Sequence, residues 1–414
     1  MSVVLSDRFP RYTDFDPAVP VWCITPGTGR AIHRFFDTSP ISPSGRYAAL
    51  TRFLAEDRVP QPGDAAEVLL VDLQTGGERV VAETRGWDTQ LGAQAQWGVD
   101  DTQLFFNDMD TAHWRPFCVV MNPATGERKN LEGTVYMVSP DGRQAASPCL
   151  LRTGATQAGY GVRAPEAHVP VNRGASSDDG VFVTDVETGA CRLLVSLKEI
   201  VETATPALPH DEYADGTFYG FHIKYTLQGD RLMFVLRWRP DGGGKMKHNV
   251  ITMRADGSDI HVAIPESEWG KGGHHPNWCP DGETAMINLK ADGKTLRLVK
   301  ARYDGSDFGV MLDSVVASGH PSMHPDGRHI VTDVYLHEAL AYGDGTTPIR
   351  WFDLETGQEQ VLARINNDPP FPGPVRDLRI DPHPAWDRAF RRIVFNGCEN
   401  GVRRVYLADL SALI

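Results

Sequence analysis

The chain has 414 residues, of which 41% are hydrophobic and 23% are charged, a composition typical of a soluble globular protein. Its formal net charge of −13 argues against a nucleic-acid-binding surface, which needs a basic face. No apolar run reaches the roughly 18 residues of a membrane-spanning helix, so we expect no membrane segment.

The N-terminal sequence and the cysteines bear on the cellular compartment. The first residues, MSVVLSDRFPRYTDFDP, contain no basic stretch followed by an apolar one, so we expect no signal peptide. Six cysteines are scattered without a C-x-x-C pair, which argues against a metal knuckle or a redox dithiol. Reduced thiols in a cytoplasmic protein fit this pattern best.

A sequence repeat runs the length of the chain. Segments with a turn of the Pro-Asp-Gly type between two strand patterns recur seven times, at 39–50, 95–106, 136–147, 223–236, 276–289, 321–334 and 384–397. Each is followed by a partner strand with a second turn, such as Thr-Gly in VLLVDLQTGGERVV. Units of four antiparallel strands are typical of propeller blades. We therefore predict an all-β fold: a seven-bladed β-propeller with four-stranded antiparallel blades, forming a single domain over residues 1–414.

Three further elements are predicted in chain order. The segment 20–27 supplies the strand that the last repeat lacks and closes the ring, which removes exposed sheet edges. A loop at about 151–180, rich in Gly, Ala and Pro, forms either a lid over one face or a mobile excursion. Residues 196–204 form a short helix, with Ser196 and Glu199 as its capping box.

Four histidines fall at one place in four consecutive repeats. Counting back five residues from the turn gives His222, His275 and His320, and the equivalent start of the last repeat carries His383. Inner strands line the channel of a propeller, so these strand starts converge at one mouth. Any one of the histidines could simply bond a neighbouring turn, but four in one register favour a functional cluster.

The other repeats carry other residues at this place. Gln94 occupies it in the second repeat, and Thr38 and Val135 occupy it in the first and third. His274 and His324 are expected to point away from the channel axis, because adjacent side chains of a strand alternate between its faces.

Converging imidazoles suit a divalent transition ion such as Mn²⁺, Zn²⁺ or Fe²⁺. Asp381 lies two residues before His383, so we predict a site with both nitrogen and oxygen ligands. A fourth histidine that is not a ligand could act as a general base.

Segments in the second half of the chain resemble oligogalacturonate lyases, seven-bladed propeller enzymes related in shape to the TolB propeller. HHPNWCPDGETAM, at 274–286, is similar to the family's His-x-x-Trp-x-Pro-Asp-Gly segment, whose histidine is a metal ligand and corresponds to His275. DPHPAWDRAF, at 381–390, looks like the start of the family's final blade, where a second ligand corresponds to His383. FHIKYTLQGDRLMF corresponds to the segment that carries the proposed base, which implies this role for His222.

The sequence departs from the family's metal-binding pattern at two positions. The first histidine of the family's His-Pro-His is Asp381 here, and its glutamine ligand falls on Leu378. The resemblance implies a divalent ion, Mn²⁺ before Zn²⁺, Fe²⁺ or Ca²⁺. The ligand set has to be rebuilt as His275, His320, Asp381 and His383.

The activity implied by the resemblance is β-elimination at a 4-O-linked uronate of an acidic oligosaccharide. His222 would remove the C5 proton after the substrate carboxylate is neutralised by a metal ion and an arginine. Tyr225 or a water would protonate the departing oxygen, and Gln94 would contact the substrate. The family's catalytic arginine has no obvious counterpart, and the alternatives are Arg173, Arg237 and Arg239.

Two other functions remain open at this point. A non-catalytic, TolB-like propeller would bind a protein or peptide partner across its channel mouth, with buried, hydrogen-bonded histidines and no metal. An isomerase or hydrolase of sugar derivatives would keep the metal and change the reaction. No nucleic-acid or membrane partner is expected, and no heptad or long apolar edge strand indicates an oligomeric state.

Overall fold

The computed structural model describes residues 5–369 and 371–414, which form seven four-stranded antiparallel sheets. The sheets follow one another along the chain as blades, which confirms the predicted seven-bladed β-propeller. The helices of the described residues are short: α1 Leu150–Thr153, α2 Leu197–Thr203 and α3 Glu266–Trp269, with 3₁₀ turns at Leu5–Asp7, Glu166–His168 and His210–Tyr213.

The strands are numbered in chain order, with β1 at Val21–Cys23. Blade one contains β2–β5, at Ala31–Ile32, Tyr47–Phe53, Ala66–Asp72 and Glu78–Thr84. Blade two contains β6–β9, at Gln96–Trp97, Leu104–Asp110, Arg115–Met121 and Arg128–Leu131. Blade three contains β10–β13, at Met137–Val138, Gln144–Ser147, Gly180–Asp185 and Cys191–Ser196. Blade four contains β14–β17, at Gly216–Tyr225, Arg231–Pro240, Lys247–Arg254 and His261–Ile264.

The last three blades follow the same plan. Blade five contains β18–β21, at Gly273–Trp278, Thr284–Leu289, Arg297–Arg302 and Gly309–Leu312. Blade six contains β22–β25, at Ser322–Met323, His329–Thr332, Thr346–Asp353 and Gln358–Asn366. Blade seven contains β26–β28, at Ala385–Trp386, Arg392–Glu399 and Val402–Asp409, together with β1.

The ring closes through its first and last strands. β1 pairs antiparallel with β28, with Val21 opposite Ala408, so the N-terminal segment completes blade seven as predicted. Hydrophobic side chains fill the spaces between blades; Met286 of blade five, for example, packs in one buried cluster with Ile330 and Phe352 of blade six.

The repeated turn motif shapes each blade at one end of the channel. In blade five, the carboxylate of Asp281 accepts the backbone N–H groups of Glu283 and Thr284, and Gly282 takes a positive φ of 71°. The tryptophan just before this turn ties neighbouring blades together, because the indole nitrogen of Trp278 donates to the Lys224 carbonyl of blade four at 3.1 Å. Turn and tryptophan therefore serve the architecture.

An insertion between β2 and β3 closes the channel. We call residues 33–37 the plug; its Phe35 and Phe36 are fully buried at the channel centre. Arg34 donates to Gln94 of blade two at 2.8 Å, and the Asp37 carboxylate lies 3.1 Å from the Lys224 ammonium of blade four. The plug thus contacts several blades at once.

Two local predictions can be compared with the structure. Helix α2 begins after Ser196, whose hydroxyl accepts the backbone N–H of Glu199, as a capping residue should. The loop of blade three runs back over the histidine end of the channel through residues 154–163, which we call the strap. The strap is held by bonds from Gly161 to the Asp88 carboxylate and from Arg163 to Asp377, which lies in the connection between blades six and seven.

Candidate metal centre

The four register histidines meet at one mouth of the channel, which we call the histidine mouth. The ring centroids of His275 and His320 are 3.9 Å apart, and those of His320 and His383 are 4.2 Å apart. His222 lies to one side and stacks on Phe35 of the plug, with centroids 5.0 Å apart. The structure therefore brings together side chains from blades four, five, six and seven.

Irregular backbone turns several of these side chains toward the channel. The ladder between β14 and β15 shifts register at Gly220–Ile223, which includes His222, and that between β18 and β19 shifts at His274–Asn277, which includes His275. His275 and His383 adopt positive φ values of 59° and 51°. Bulges and left-handed residues of this kind commonly re-aim side chains at functional sites.

A carboxylate completes the group. Ligand atoms of His320, Asp381 and His383 all lie within 4.8 Å of one another, and all three residues are buried. Asp381 Oδ2 lies 3.9 Å from His383 Nε2 and accepts a hydrogen bond from Arg379 Nε at 2.8 Å.

The donor atoms fit a divalent metal ion. His320 Nε2 and both ring nitrogens of His383 are buried without a hydrogen-bond partner among the described residues. Buried polar atoms are normally paired, so these nitrogens mark a place where a ligand is expected. The two imidazoles of His320 and His383 and the Asp381 carboxylate, with the His275 ring next to His320, form a donor set suited to Mn²⁺, Fe²⁺ or Zn²⁺.

Two contacts orient the imidazoles. His320 Nδ1 lies 2.9 Å from both oxygens of the buried Asp333 carboxylate, and His275 Nδ1 lies 2.9 Å from the Gly319 carbonyl. A ring whose Nδ1–H donates in this way presents its Nε2 lone pair to a metal. His320 Nε2 is unpartnered among the described residues, whereas His275 Nε2 faces the Tyr335 hydroxyl at 3.1 Å.

Burial controls the protonation of the histidines. It lowers the pKa of His222, His275 and His383 well below the ordinary value, with nearby cationic and imidazole groups acting in the same direction. The rings are therefore neutral at pH 7. Neutral imidazoles can bind a metal or accept a proton.

Two cavities open above the histidine mouth. One, of about 190 Å³, is lined by His222, His275 and Arg237 among others, and the second, of about 410 Å³, reaches Asp381. Both cavities are bordered by Gln157 of the strap, Tyr335 and Arg379. The candidate metal centre thus lies beneath the junction of the two cavities.

Two arginines make the cavities locally positive. Arg237 is buried, its guanidinium lies over the Phe221 ring at 3.5 Å, and burial lowers its pKa to about 9. Burial also acts to lower the pKa of Arg379, but the Asp381 carboxylate, together with Tyr160 and Tyr335, outweighs burial and raises that pKa. Both side chains can carry positive charge at pH 7, in contrast to the net charge of −13 of the whole chain.

Other residues predicted for the site lie elsewhere. Tyr225 lines a separate cavity of about 340 Å³ at the opposite mouth, and its hydroxyl donates to Gln144 at 3.3 Å. Gln94 is buried, and its oxygen accepts the bond from Arg34 of the plug. Arg239 is exposed and donates to Ala155 of the strap at 3.1 Å, whereas Arg173 is exposed in the blade-three loop and lines neither cavity.

The two neighbouring histidines have different surroundings. His274 stays near the site, with its Nδ1 3.0 Å from Nδ1 of His275, although we expected it to point away. His324 packs beside Trp386, which lines the cavity at the opposite mouth, with ring centroids 5.2 Å apart.

Sequence reasoning missed several residues of the site. His33 rather than Thr38 begins the channel-facing part of blade one, and its ring lies 6.4 Å from that of His383. Asp333 directly follows β23 and is buried, but no motif or spacing marks it in the sequence. Four further residues of the site had no spacing signal: Tyr160, Tyr335 and Arg379, which line the cavities, and Tyr136, whose hydroxyl bonds with His222 Nδ1.

Comparisons with known proteins place this fold among enzymes and other propellers. No protein-family model matches the sequence, and no curated protein matches it either. An oligogalacturonate lyase from Vibrio parahaemolyticus has a similar structure, with 16% identity, a TM-score of 0.65, and 97% of this chain and 96% of that chain covered. An oligogalacturonate lyase in complex with manganese gives 17% identity, a TM-score of 0.66 and the same coverage.

A protease propeller is similar to a lesser extent. The β-propeller domain of the trilobed protease from Pyrococcus furiosus has 10% identity and a TM-score of 0.50, with 91% of this chain and 96% of that chain covered. At these identities the similarities show the fold. Among the described residues, no helix is long and apolar enough to cross a membrane.

Proposed function

We propose that the protein is a metal-dependent lyase that cleaves uronate-containing oligosaccharides by β-elimination. The observation that carries this proposal is the buried group of His320, His383 and Asp381, beside which the ring of His275 lies 3.9 Å from that of His320. The cavities above this group also present Arg237, Arg379 and His222. The fold similarity to oligogalacturonate lyases supports the same reaction class. The substrate class is an acidic oligosaccharide such as a pectin fragment.

The chemistry explains why these residue types are needed together. The C5 proton of a uronate is weakly acidic while the adjacent carboxylate keeps its negative charge. Positive groups beside that carboxylate stabilise the charge that develops as the proton leaves. A neutral base must then lie near C5, and the C4 oxygen must depart.

The metal would be held by His275, His320, His383 and Asp381, with Mn²⁺ as the first candidate and Zn²⁺, Fe²⁺ or Ca²⁺ as alternatives. When bound, such an ion supplies a Lewis acid for the substrate carboxylate. Arg237 and Arg379 add charge from the protein itself, since each lines a cavity beside the metal ligands.

His222 is the proposed proton acceptor. Burial keeps its ring neutral at pH 7 by lowering its pKa, so the ring can take up a proton from substrate. Its Nδ1 shares a hydrogen bond with the Tyr136 hydroxyl. When Nδ1 donates in that bond, Nε2 is left to accept the C5 proton.

The departing oxygen needs a proton donor near the junction of the cavities. Tyr225 lies at the opposite mouth and does not reach this place. Tyr335 borders both cavities, and Tyr160 lies beside His222, with ring centroids 5.9 Å apart. One of these phenols, or a water held between them, takes the role first assigned to Tyr225.

We also propose that the enzyme works in the cytoplasm. All six cysteines are free thiols in the structure, and four of them are buried. Unpaired cysteines of this kind suit a reducing compartment, where oligosaccharides imported by the cell would be its substrates.

The test combines metal analysis with an activity screen. Purified protein is analysed for bound transition metals and then incubated with uronate oligosaccharides while the ultraviolet absorbance of an unsaturated product is followed. We expect a bound divalent ion and product formation. His222→Asn should abolish activity and keep the metal, His275→Ala should lose both, and the control His324→Ala should retain both.

Two outcomes would contradict the proposal. A metal-free protein whose His275→Ala variant is unchanged in all properties would support a non-catalytic propeller. A metalloprotein that acts only on saccharides without uronate would exclude the elimination mechanism.

A further inference from the structure

A repeated side-chain contact joins neighbouring blades at the histidine mouth. In blade two, Asn107 accepts the backbone N–H of Val135, the first channel residue of blade three, at 2.8 Å. In blade seven, Asn396 accepts the backbone N–H of His33 of blade one at 3.0 Å. These buried side chains follow the same rule: the second strand of one blade fixes the start of the next blade.

Neutral side chains make this contact in other blades as well. Thr51 of blade one accepts the backbone N–H of Ala93 at 2.9 Å, and Asn288 of blade five donates to the Gly319 carbonyl at 2.9 Å. A hydroxyl or an amide is therefore sufficient to join two blades.

Blade six has a carboxylate at this place. Asp333 Oδ2 accepts the backbone N–H of His383 of blade seven at 3.0 Å, and Oδ1 accepts the backbone N–H of His320 at 2.6 Å. Burying a charged carboxylate costs far more free energy than burying an amide. Because an amide is sufficient elsewhere, the negative charge of Asp333 needs a separate explanation.

The charge is directed at an imidazole. His320 Nδ1 lies 2.9 Å from both carboxylate oxygens, so it donates its proton to Asp333, while its Nε2 is buried and unpartnered among the described residues. A carboxylate behind a histidine fixes the tautomer, orients the ring and increases the basicity of the opposite nitrogen. The same carboxylate fixes the backbone of His383, so a single side chain positions two of the candidate ligands.

We infer that Asp333 is a metal-positioning residue, which holds His320 and His383 ready for a divalent ion while it joins blades six and seven. The inference rests on the metal site of the proposed function, but it does not require any particular substrate. It separates Asp333 from Asn107, whose two bonds to the backbone of Val135 serve the architecture alone.

The test measures metal affinity without substrate. Mn²⁺ is titrated calorimetrically into metal-depleted wild-type protein and into Asp333→Asn, which keeps the shape of the side chain and removes its charge. We expect Mn²⁺ to bind roughly 10–100-fold more weakly to the variant. The matched control Asn107→Ala loses a blade contact of the same kind, so it should lower the melting temperature and leave Mn²⁺ affinity within about twofold.

A second variant at Asp333 and a double-mutant cycle with His320 complete the test. Asp333→Thr copies the arrangement of Thr51 and serves if Asp333→Asn does not fold; the same loss of affinity is expected. In the His320→Ala background, replacing Asp333 should lower Mn²⁺ affinity much less than it does in wild type. The effects of the two substitutions are not additive, because Asp333 acts on the metal through His320.

The outcomes separate this inference from the proposed function. Equal Mn²⁺ affinity of wild type and Asp333→Asn, an equal loss in Asn107→Ala, or no Mn²⁺ binding by wild type would overturn it. Wild-type protein that binds Mn²⁺, is weakened by Asp333→Asn and cleaves no uronate would support the role of Asp333 and contradict the lyase activity.

Discussion

The ring of Phe35 stacks on His222, with centroids 5.0 Å apart, and its edge meets the ring of His383 at 4.7 Å. The same side chain also lies 5.6 Å from His320 and 6.0 Å from His275. One residue of the plug therefore forms the floor under all four register histidines. The plug fills the channel and supports the site above it.

Removing this floor should weaken both the fold and the metal centre. Phe35→Ala creates a cavity at the channel centre, for which we expect a loss of about 3–5 kcal/mol in the free energy of unfolding. The imidazoles lose the surface that holds them together, so Mn²⁺ affinity should also fall. Urea denaturation and calorimetry measure the two effects.

Phe352→Ala provides the matched control for this prediction. Phe352 is equally buried, but it packs between blades five and six, away from the histidines. We expect a similar loss of stability with unchanged Mn²⁺ affinity. Equal metal affinity of Phe35→Ala and wild type would contradict a supporting role for the plug.

The buried charges of the plug and of Lys224, which contacts it, should respond unequally to substitution. Arg34 and Lys224 both contact the buried Asp37 carboxylate, and burial lowers the pKa of Lys224 to about 8. Asp37→Asn leaves two buried cations without a counter-charge, so we expect a loss of about 3–5 kcal/mol in unfolding free energy. Lys224→Met leaves a paired Arg34 and Asp37 and should cost clearly less.

The comparison of these two variants is its own control, because both alter the same buried group. Chemical denaturation at pH 7 measures both. A larger loss for Lys224→Met than for Asp37→Asn would show that the ammonium, rather than the carboxylate, holds the plug in place.

The strap should affect substrate binding without affecting the metal. Gly161 has a positive φ of 80°, and a Cβ there would lie 2.5 Å from the Leu150 carbonyl. Gly161→Ala should therefore displace the strap and with it Gln157 and Tyr160, which line the smaller cavity. We expect a higher KM on the substrate found by the activity screen, with unchanged Mn²⁺ affinity.

Gly174→Ala is the control for the strap. Gly174 also has a positive φ, of 55°, but nothing lies within 4 Å of its would-be Cβ. The KM of Gly174→Ala should therefore stay close to that of wild type. A normal KM for Gly161→Ala would show that substrate binding does not depend on the position of the strap.

The blade order and the histidine register could be predicted because both depend on local chemistry. Each blade repeats the same turn, and counting from that turn places His222, His275 and His320 without knowledge of tertiary contacts. Counting back from the turn gave the wrong residue in blade one, because the plug is inserted before the turn there. There the start of the blade is His33, fixed by Asn396, which is 363 residues away in the chain.

Residues that act through tertiary contacts could not be predicted in this way. Asp333 has no motif of its own; its position matters because it reaches both His320 and blade seven. Tyr225 seemed close to His222 in sequence, but three residues of strand extend about 10 Å along the channel. This places Tyr225 toward the opposite mouth, whereas Tyr335 reaches the site from a loop of another blade.

The buried His33 should make the metal-free protein less stable in acid. Burial lowers its pKa to about 4, below the value of 6.5 for an unperturbed histidine, with Arg34 acting in the same direction. Between these two values the unfolded chain binds more protons than the folded protein, so stability is lost as pH falls from 6.5 toward 4. From pH 6.5 to pH 5, His33 alone should contribute about 1.5 kcal/mol of this loss.

The measurement compares urea unfolding of metal-depleted wild type and His33→Gln at several pH values between 6.5 and 5. His222, His275 and His383 titrate in the same direction, so the difference between the two proteins isolates His33. Whatever His33→Gln costs at pH 6.5, its deficit should shrink by about 1.5 kcal/mol at pH 5, since glutamine has no proton to take up on unfolding. Phe352→Ala lowers stability without removing a titrating group, so its curve should run parallel to that of wild type. A curve for His33→Gln that also runs parallel would mean that His33 is not kept neutral by its burial.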